Sequence, residues 1–310
     1  MKTIGYDRPL FVQPFDHRGS FTKGFFGLKG QPEITTRHDQ HSPVADAKTL
    51  VYRGLLHAIE LGVAKEHLGI LIDTQFGSAI IADAKAKGIP VSVCVEKSGQ
   101  DIFDFEYGEC WQDHLRFVRP DIVKVLVRHH PHVDAGGRRE QMARLKLISD
   151  WIHAHDDTYY MFELLVPALT AEDKAFGDRY DTERRPGLMI EAIAELQDFG
   201  IEPDIWKIEG LERAEDAVAV AAQTRNTGAR ARVGNILLGR GADKASVHRW
   251  LQVAAPLAGY IGFAVGRTNF SEPLKAYLAA PSPATAATAV EQIGRNFKEC
   301  VDIWLAARGA

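Results

Sequence analysis

Residues 122–165 read IVKVLVRHHPHVDAGGRREQMARLKLISDWIHAHDDTYYMFELL. A Val- and Ile-rich run at 122–127 gives way to a stretch of helical period at 138–153, and that to a second apolar run at 159–165. Strand, helix and strand follow one another, and the pattern continues in both directions. Apolar runs of strand length also fall at 10–15, 68–72, 91–95, 204–208, 233–238 and 260–265. Amphipathic stretches at 47–61, 78–87, 186–199, 214–224 and 244–255 separate them. Eight strand–helix units in series predict an α/β fold of the closed (β/α)8 barrel type. A doubly wound sheet has fewer strands and a glycine-rich first turn, and neither GxGxxG nor a Walker loop occurs here. Gly62, Gly88, Gly200 and Gly228 stand where left-handed helix caps are expected, and Pro186 suits a first helical turn.

The chain has 310 residues, which exceeds the roughly 250 of a typical barrel, and no internal linker divides it. One barrel domain over 1–310 is expected, with an added helix at about 285–307 whose apolar stripe is Val290, Ile293, Phe297, Val301 and Trp304. A formal charge of -4 supplies no basic patch for a nucleic acid. The first ten residues carry Lys2, Asp7 and Arg8 without an apolar segment, and no run of about 18 apolar residues occurs, so no membrane partner is expected. Cys94, Cys110 and Cys300 show no CxxC spacing, which favours plain thiols in a reducing, cytoplasmic setting.

In a barrel, chemistry belongs to the C-terminal ends of the strands, and ionisable residues collect there. Strand one ends in Asp16-His17-Arg18, strand two in Asp73-Thr74-Gln75, and strand three in Glu96-Lys97-Ser98-Gly99. Strand four contains Lys124 and Arg128, strand five Glu163, and strand six Lys207 and Glu209. Lys124 and Lys207 carry the most information, because a lysine inside an apolar strand is costly to bury. Burial and a second nearby ammonium both favour the neutral amine, the form that attacks a ketone to make an iminium. Two-residue alternation puts Lys207 with Glu209 on one face, and Lys124 with Leu126 and Arg128 on another. A structural ion-pair layer with Glu163, Glu209 or Asp73 is the alternative.

Gly239-Arg240-Gly241 after strand seven and Gly266-Arg267-Thr268 after strand eight lie where barrels commonly bind phosphate through backbone amides. A small phosphorylated substrate is therefore expected. His129-His130-Pro131-His132 is read as an exposed loop without a metal, and residues 101–109, acidic with interleaved aromatics, as a solvated loop, with a lid or a subunit contact as the alternatives. Lys97 is read as exposed and protonated, and His17 as either a substrate contact or a hydrogen-bonded structural residue.

Phe15-Asp16-His17-Arg18-Gly19-Ser20, Asp73-Thr74-Gln75-Phe76-Gly77, Glu96-Lys97-Ser98-Gly99-Gln100-Asp101, Trp206-Lys207-Ile208-Glu209-Gly210 and residues 262–268 resemble an uncharacterised domain family (DUF2090). That domain is found fused to the sugar kinase of myo-inositol catabolism, and the resemblance spans nearly the whole chain. More distantly, the strand ends are similar to the tagatose-bisphosphate and sulfofructose-phosphate aldolases, which are class I barrels. Their Lys-x-Glu on strand six matches Lys207 and Glu209, their strand-four lysine Lys124, and their strand-five glutamate Glu163. Two departures stand out: residues 238–241 replace a Ser-Gly phosphate loop, and Gly210 replaces an apolar residue followed by proline.

The resemblance implies a Schiff-base aldolase that needs neither metal nor cofactor. Lys207 would attack the ketone, with Lys124 lowering its pKa, Glu163 transferring protons and Asp16 orienting or deprotonating the hydroxyl. Arg240 and Arg267 would hold the phosphate with Gly239, Gly241 and Gly266, while Arg18, Asp73, Gln75, Arg128 and Glu209 contact the rest of the substrate. The fusion partner implies 2-deoxy-5-keto-D-gluconate 6-phosphate as substrate and dihydroxyacetone phosphate and malonic semialdehyde as products. A metal-dependent lyase and a phosphosugar-binding regulatory barrel are the rival expectations. Barrels of this type usually associate, so a homo-oligomer is expected.

Overall fold

Eight short parallel strands close into a barrel in the computed structural model, which describes residues 3–28, 42–155 and 157–309. They are β1 (Leu10–Pro14), β2 (Leu68–Ile72), β3 (Val91–Cys94), β4 (Ile122–Arg128), β5 (Tyr159–Leu165), β6 (Ile205–Glu209), β7 (Gly234–Leu238) and β8 (Tyr260–Ala264). Each pairs with the next, and β8 returns to β1. The helices are α1 (Gly19–Phe26), α2 (Pro43–Glu60), α3 (Thr74–Ala86), α4 (Trp111–Val118), α5 (Ala135–His153) and α6 (Ala171–Ala175), then α7 (Arg185–Asp198), α8 (Ala214–Thr224), α9 (Lys244–Ala254), α10 (Arg267–Ala279) and α11 (Pro283–Arg308).

Every expected strand is present, with ends displaced by no more than a residue or so. Helices α1, α4, α6 and α10 were not expected. Two of them have a weak helical signal, since α1 holds two glycines in eight residues and α10 carries Pro273 inside it. Gly62, Gly88 and Gly200 adopt the left-handed conformation that caps require. Gly228 does not; it opens a single 3-10 turn instead.

Strand alternation sorts the side chains into two cores. Leu10, Val12, Leu71, Ile122, Met161, Ile205 and Ile236 point inward and plug the barrel, while Phe11, Phe162, Trp206 and Phe263 point outward beneath the helices. Register then places the charged residues above the plug. Glu163 lies directly across from Lys207 on β5 and β6, and Lys124 across from Cys94 on β4 and β3. The C-terminal helix α11 buries Ile293, Phe297, Cys300, Val301 and Trp304, and packs on α2 where Gly54 and Gly294 let the backbones approach.

The loop after β4 corrects one expectation. His129 and His130 are buried, not exposed, because each ring has a carboxylate partner: Glu195 at 2.8 Å and Asp173 at 2.7 Å. Only His132 of the three is exposed. The 101–109 loop is likewise more than a solvated segment, since Phe103 and Phe105 are buried and Glu106 pairs with Arg18 at 2.7 Å. No helix among the described residues is long and apolar enough to cross a membrane.

Candidate active site

Lys124 stands at the centre of the barrel mouth, 1 % exposed, with three carboxylates around its ammonium. Its Nζ lies 2.8 Å from Asp16 Oδ2, from Glu96 Oε1 and from Glu163 Oε2. Strand β1 delivers Asp16, β3 delivers Glu96 and β5 delivers Glu163, so one lysine gathers the ends of three strands. Lys207 on β6 completes the cluster, its Nζ 2.9 Å from the same Glu163 oxygen. Two buried lysine Nζ atoms therefore share one carboxylate oxygen.

The electrostatics follow from that packing. Burial alone would strip the proton from Lys124, but Asp16, Glu163 and Glu96 outweigh it and hold the pKa well above the ordinary lysine value. Burial would raise Glu163, yet Lys124 and Lys207 prevail and keep its carboxyl below the usual range. Asp16 behaves the same way, its burial overcome chiefly by Lys124. Glu96 differs: burial, reinforced by the Asp16 charge, raises its pKa despite Lys124 and Arg18. His17 is pushed down to about 4 by burial and by the charges of Arg267 and Lys207, against the pull of Asp16, which leaves a neutral imidazole at pH 7.

A cavity of about 260 Å³ opens above the cluster. Asp16, Arg18, Glu96, Lys124, Arg128 and Glu163 are among its lining residues. Lys207 stands one contact further in, through Glu163. Arg18 is fixed at the rim by Glu106 and by the Glu96 carbonyl, which accepts from its Nη2. Arg128 donates from Nη1 to the Gln100 carbonyl at 3.0 Å.

Other expected residues are placed differently. Asp73 does not line the cavity; its carboxylate binds the buried Lys48 ammonium and accepts from the Phe76 amide at 2.8 Å, capping α3. Its expected substrate contact is thereby replaced by a structural one, and Gln75, also buried, is not among the lining residues either. Glu209 accepts from the Val166 amide at 3.1 Å and pairs with Arg240 Nε at 3.1 Å. Arg240 reaches on to Asp181 at 3.0 Å, adopting a left-handed backbone conformation (φ 51°) that a side chain rarely takes. Arg267 donates to the Arg240 carbonyl at 3.2 Å, so the two arginine turns are joined. Gly241 and Arg267 line a separate, larger cavity between α9, α10 and α11. Gly239 closes the β7 turn, and Gly266 has no room for a Cβ, which would fall 2.3 Å from the Pro14 carbonyl oxygen. Gly210 is needed because a Cβ there would fall 2.1 Å from the Trp250 ring.

Glu96 was placed at the end of strand three but given no role, and Lys48 and Asp181 escaped the sequence reading. Glu96 shares a strand face with Ser92 and Cys94, and that alternation was the available signal. Lys48 and Asp181 lie on a helix and in a segment without period, where no pattern ties them to the barrel mouth. Asp16, Cys94 and Glu96 have donor atoms within 4.8 Å of one another, the spacing of a metal site. Here the Lys124 ammonium already occupies the cation position between the two carboxylates, and burial keeps the Cys94 thiol protonated.

Fold and site define a closed (β/α)8 barrel with a paired-lysine cluster at its C-terminal mouth. The chain belongs to the family described as "Uncharacterized protein conserved in bacteria (DUF2090)", matched over residues 7–308. No curated protein matches it in sequence. Among solved structures it is similar to the fructose-bisphosphate aldolase of Plasmodium falciparum, solved with TRAP and a small-molecule inhibitor, with a TM-score of 0.65 at 11 % identity over 100 % of this chain and 98 % of that one. It is also similar to a structural-genomics target from Corynebacterium glutamicum (Brevibacterium flavum), with a TM-score of 0.50 at 19 % identity over 96 % and 88 % of the two chains. At these identities the likeness is one of fold.

Proposed function

We propose that the chain is a carbon–carbon lyase of the class I type, in which Lys207 forms a Schiff base with a phosphorylated keto sugar or keto sugar acid. The observation that carries the reading is the pair of buried lysines meeting at one oxygen of Glu163. Lys124 is held as an ammonium by three carboxylates, so it is the fixed charge; Lys207, with Glu163 alone at its Nζ among the described ion pairs, is the amine free to react. Glu163 takes a proton from Lys207 and delivers it to the carbinolamine oxygen, which leaves as water. The iminium then accepts the electron pair released when the carbon–carbon bond two atoms from the nitrogen breaks. Asp16 orients the hydroxyl of that substrate, and Arg18 and Arg128 meet its polar groups at the rim. Arg240 and Arg267, with Gly239, Gly241 and Gly266, hold the phosphate, which must displace Asp181 from Arg240 to be bound.

What supports a particular substrate is the family resemblance to a domain fused to the kinase of myo-inositol catabolism. It points to 2-deoxy-5-keto-D-gluconate 6-phosphate, whose ketone lies two carbons from a hydroxyl, as a retro-aldol cleavage to dihydroxyacetone phosphate and malonic semialdehyde requires.

The test is borohydride reduction with dihydroxyacetone phosphate, read by intact-protein mass spectrometry and peptide mapping. A stable adduct on Lys207, lost in Lys207→Met, is the expected outcome. Absence of any adduct with this or other phosphorylated ketoses would overturn the reading.

A further inference from the structure

The cavity is walled by three carboxylates, and an aldol cleavage needs one group to carry a proton away from the breaking alcohol. Resting on the Schiff-base reading above, we propose that Glu96 is that group: its Oε2, buried beside the cavity without a hydrogen-bond partner among the described residues, takes the hydroxyl proton and returns it to carbon. Asp16 and Glu163 likewise present one oxygen each to an ammonium, and the buried Glu163 oxygen that lacks a hydrogen bond is the one shared by the two lysines. Glu96 does so only through Oε1, on Lys124, which leaves Oε2 facing no protein donor. A buried carboxylate oxygen without a donor is costly, and a substrate hydroxyl supplies the missing one.

The group is also held still. Its carbonyl accepts from Arg18, Phe105 bridges it from the following loop, and the neighbouring Lys97 amide donates to the Asp104 carbonyl at 2.9 Å. Asp16 and Glu163 are kept ionised by the lysines, whereas burial gives Glu96 the greater hold on a proton, as a carrier needs.

The step balances without another reactant. As the bond between the hydroxyl-bearing carbon and the carbon next to the iminium breaks, the O–H proton passes to Glu96 Oε2. The C–O bond becomes the carbonyl of the departing aldehyde, and the bonding pair moves to the iminium nitrogen, giving the enamine. The same proton then goes from Glu96 to the enamine carbon and restores the iminium. Water releases the ketone and frees Lys207.

Dihydroxyacetone phosphate in D₂O isolates the second half of this cycle, because enamine formation exchanges a carbon-bound proton that NMR can follow. Wild type is expected to exchange and to be trapped on Lys207 by borohydride. Glu96→Gln is expected to trap normally but to exchange at least about 100-fold more slowly, within the range of general acid–base contributions. Glu96→Asp, which keeps the carboxyl but withdraws it by one methylene, should trap normally and exchange at an intermediate rate. Wild-type exchange in Glu96→Gln overturns the proposal. So does loss of trapping in both variants, which would assign Glu96 to the placement of Lys124. Failure of wild type itself to trap would instead overturn the Schiff-base reading beneath it.

Discussion

Lys124 and Lys207 are the same residue type on two strands of one barrel, yet their surroundings differ. Three carboxylates at 2.8 Å hold Lys124 as a cation, whereas Lys207 has Glu163 alone at its Nζ among the described ion pairs, which suits it to the nucleophile role proposed above. The difference predicts different costs of removal. Lys124→Met leaves Asp16, Glu96 and Glu163 buried with their central charge gone, and should lower stability by about 3–5 kcal/mol, the cost of breaking a buried ion pair. Lys207→Met leaves Glu163 still paired with Lys124 and should cost clearly less. Urea unfolding of both variants at pH 7 measures this, and equal losses would count against the hub role. The sign with pH follows as well. Asp16 and Glu163 have depressed pKa values, so their contribution is present above the unfolded-state values near 4 and is lost as pH falls through the folded ones. Without Lys124 those carboxyls rise and protonate sooner, so the deficit of Lys124→Met should shrink when both proteins are compared at pH 5. Both lysines were legible in the sequence, since a charge inside an apolar strand is conspicuous. Glu96 was legible as a strand-end carboxylate but not in its role, because it sits just past the end of β3 beside a lysine, a serine and a glycine that read as a loop.

Among the elements, the strands were the most legible. Each is a short apolar run bounded by polar residues, and a strand buried on both faces permits little else. Helices were legible where they are long and amphipathic, as α5 and α11 are, and missed where brevity, glycine or an internal proline weakens the period, as in α1 and α10. What the pattern of α11 left open is how closely it approaches α2. There the contact depends on glycine: a Cβ at Gly54 would fall 2.4 Å from Ile293 Cγ2, and one at Gly294 2.9 Å from the Gly54 carbonyl oxygen. Gly54→Val should therefore overpack this seam and cost roughly 1–3 kcal/mol. Ile293→Ala alone leaves a cavity and should cost about 2–5 kcal/mol. Because the two side chains compete for one space, the double variant should lose clearly less than the sum, which thermal unfolding of the four proteins reads directly. Strict additivity would mean that the helices do not meet through these residues.

Over the whole molecule, closing the barrel gathers charge at one end, and its effect on stability reaches beyond the site. His17, at the cavity, and His114, stacked on Tyr107, are both pushed down to about 4, chiefly by burial. Burial lowers His129 in the same direction. A histidine whose folded pKa lies below the unfolded value near 6.5 binds a proton more readily when the chain unfolds. Between about pH 6.5 and 4 the unfolded state therefore takes up protons that the folded state refuses, and stability falls with pH by about 1.4 kcal/mol per unit for each such ring fully in that window. Below pH 4 these rings contribute no further slope. The depressed carboxyls of Asp16, Glu163 and Asp181 then take over, losing their charge as the pH falls through their folded values. The expected profile is thus a steady decline in the urea midpoint from pH 6.5 downward, beginning well above the carboxylate range. A His17→Asn, His114→Asn variant should flatten the stretch between pH 6.5 and 4.5 and leave the decline at lower pH in place. A wild-type midpoint constant down to pH 4.5 would show that neither ring is held neutral by the fold, and the burial of His17 against the Arg267 and Lys207 charges would have to be abandoned.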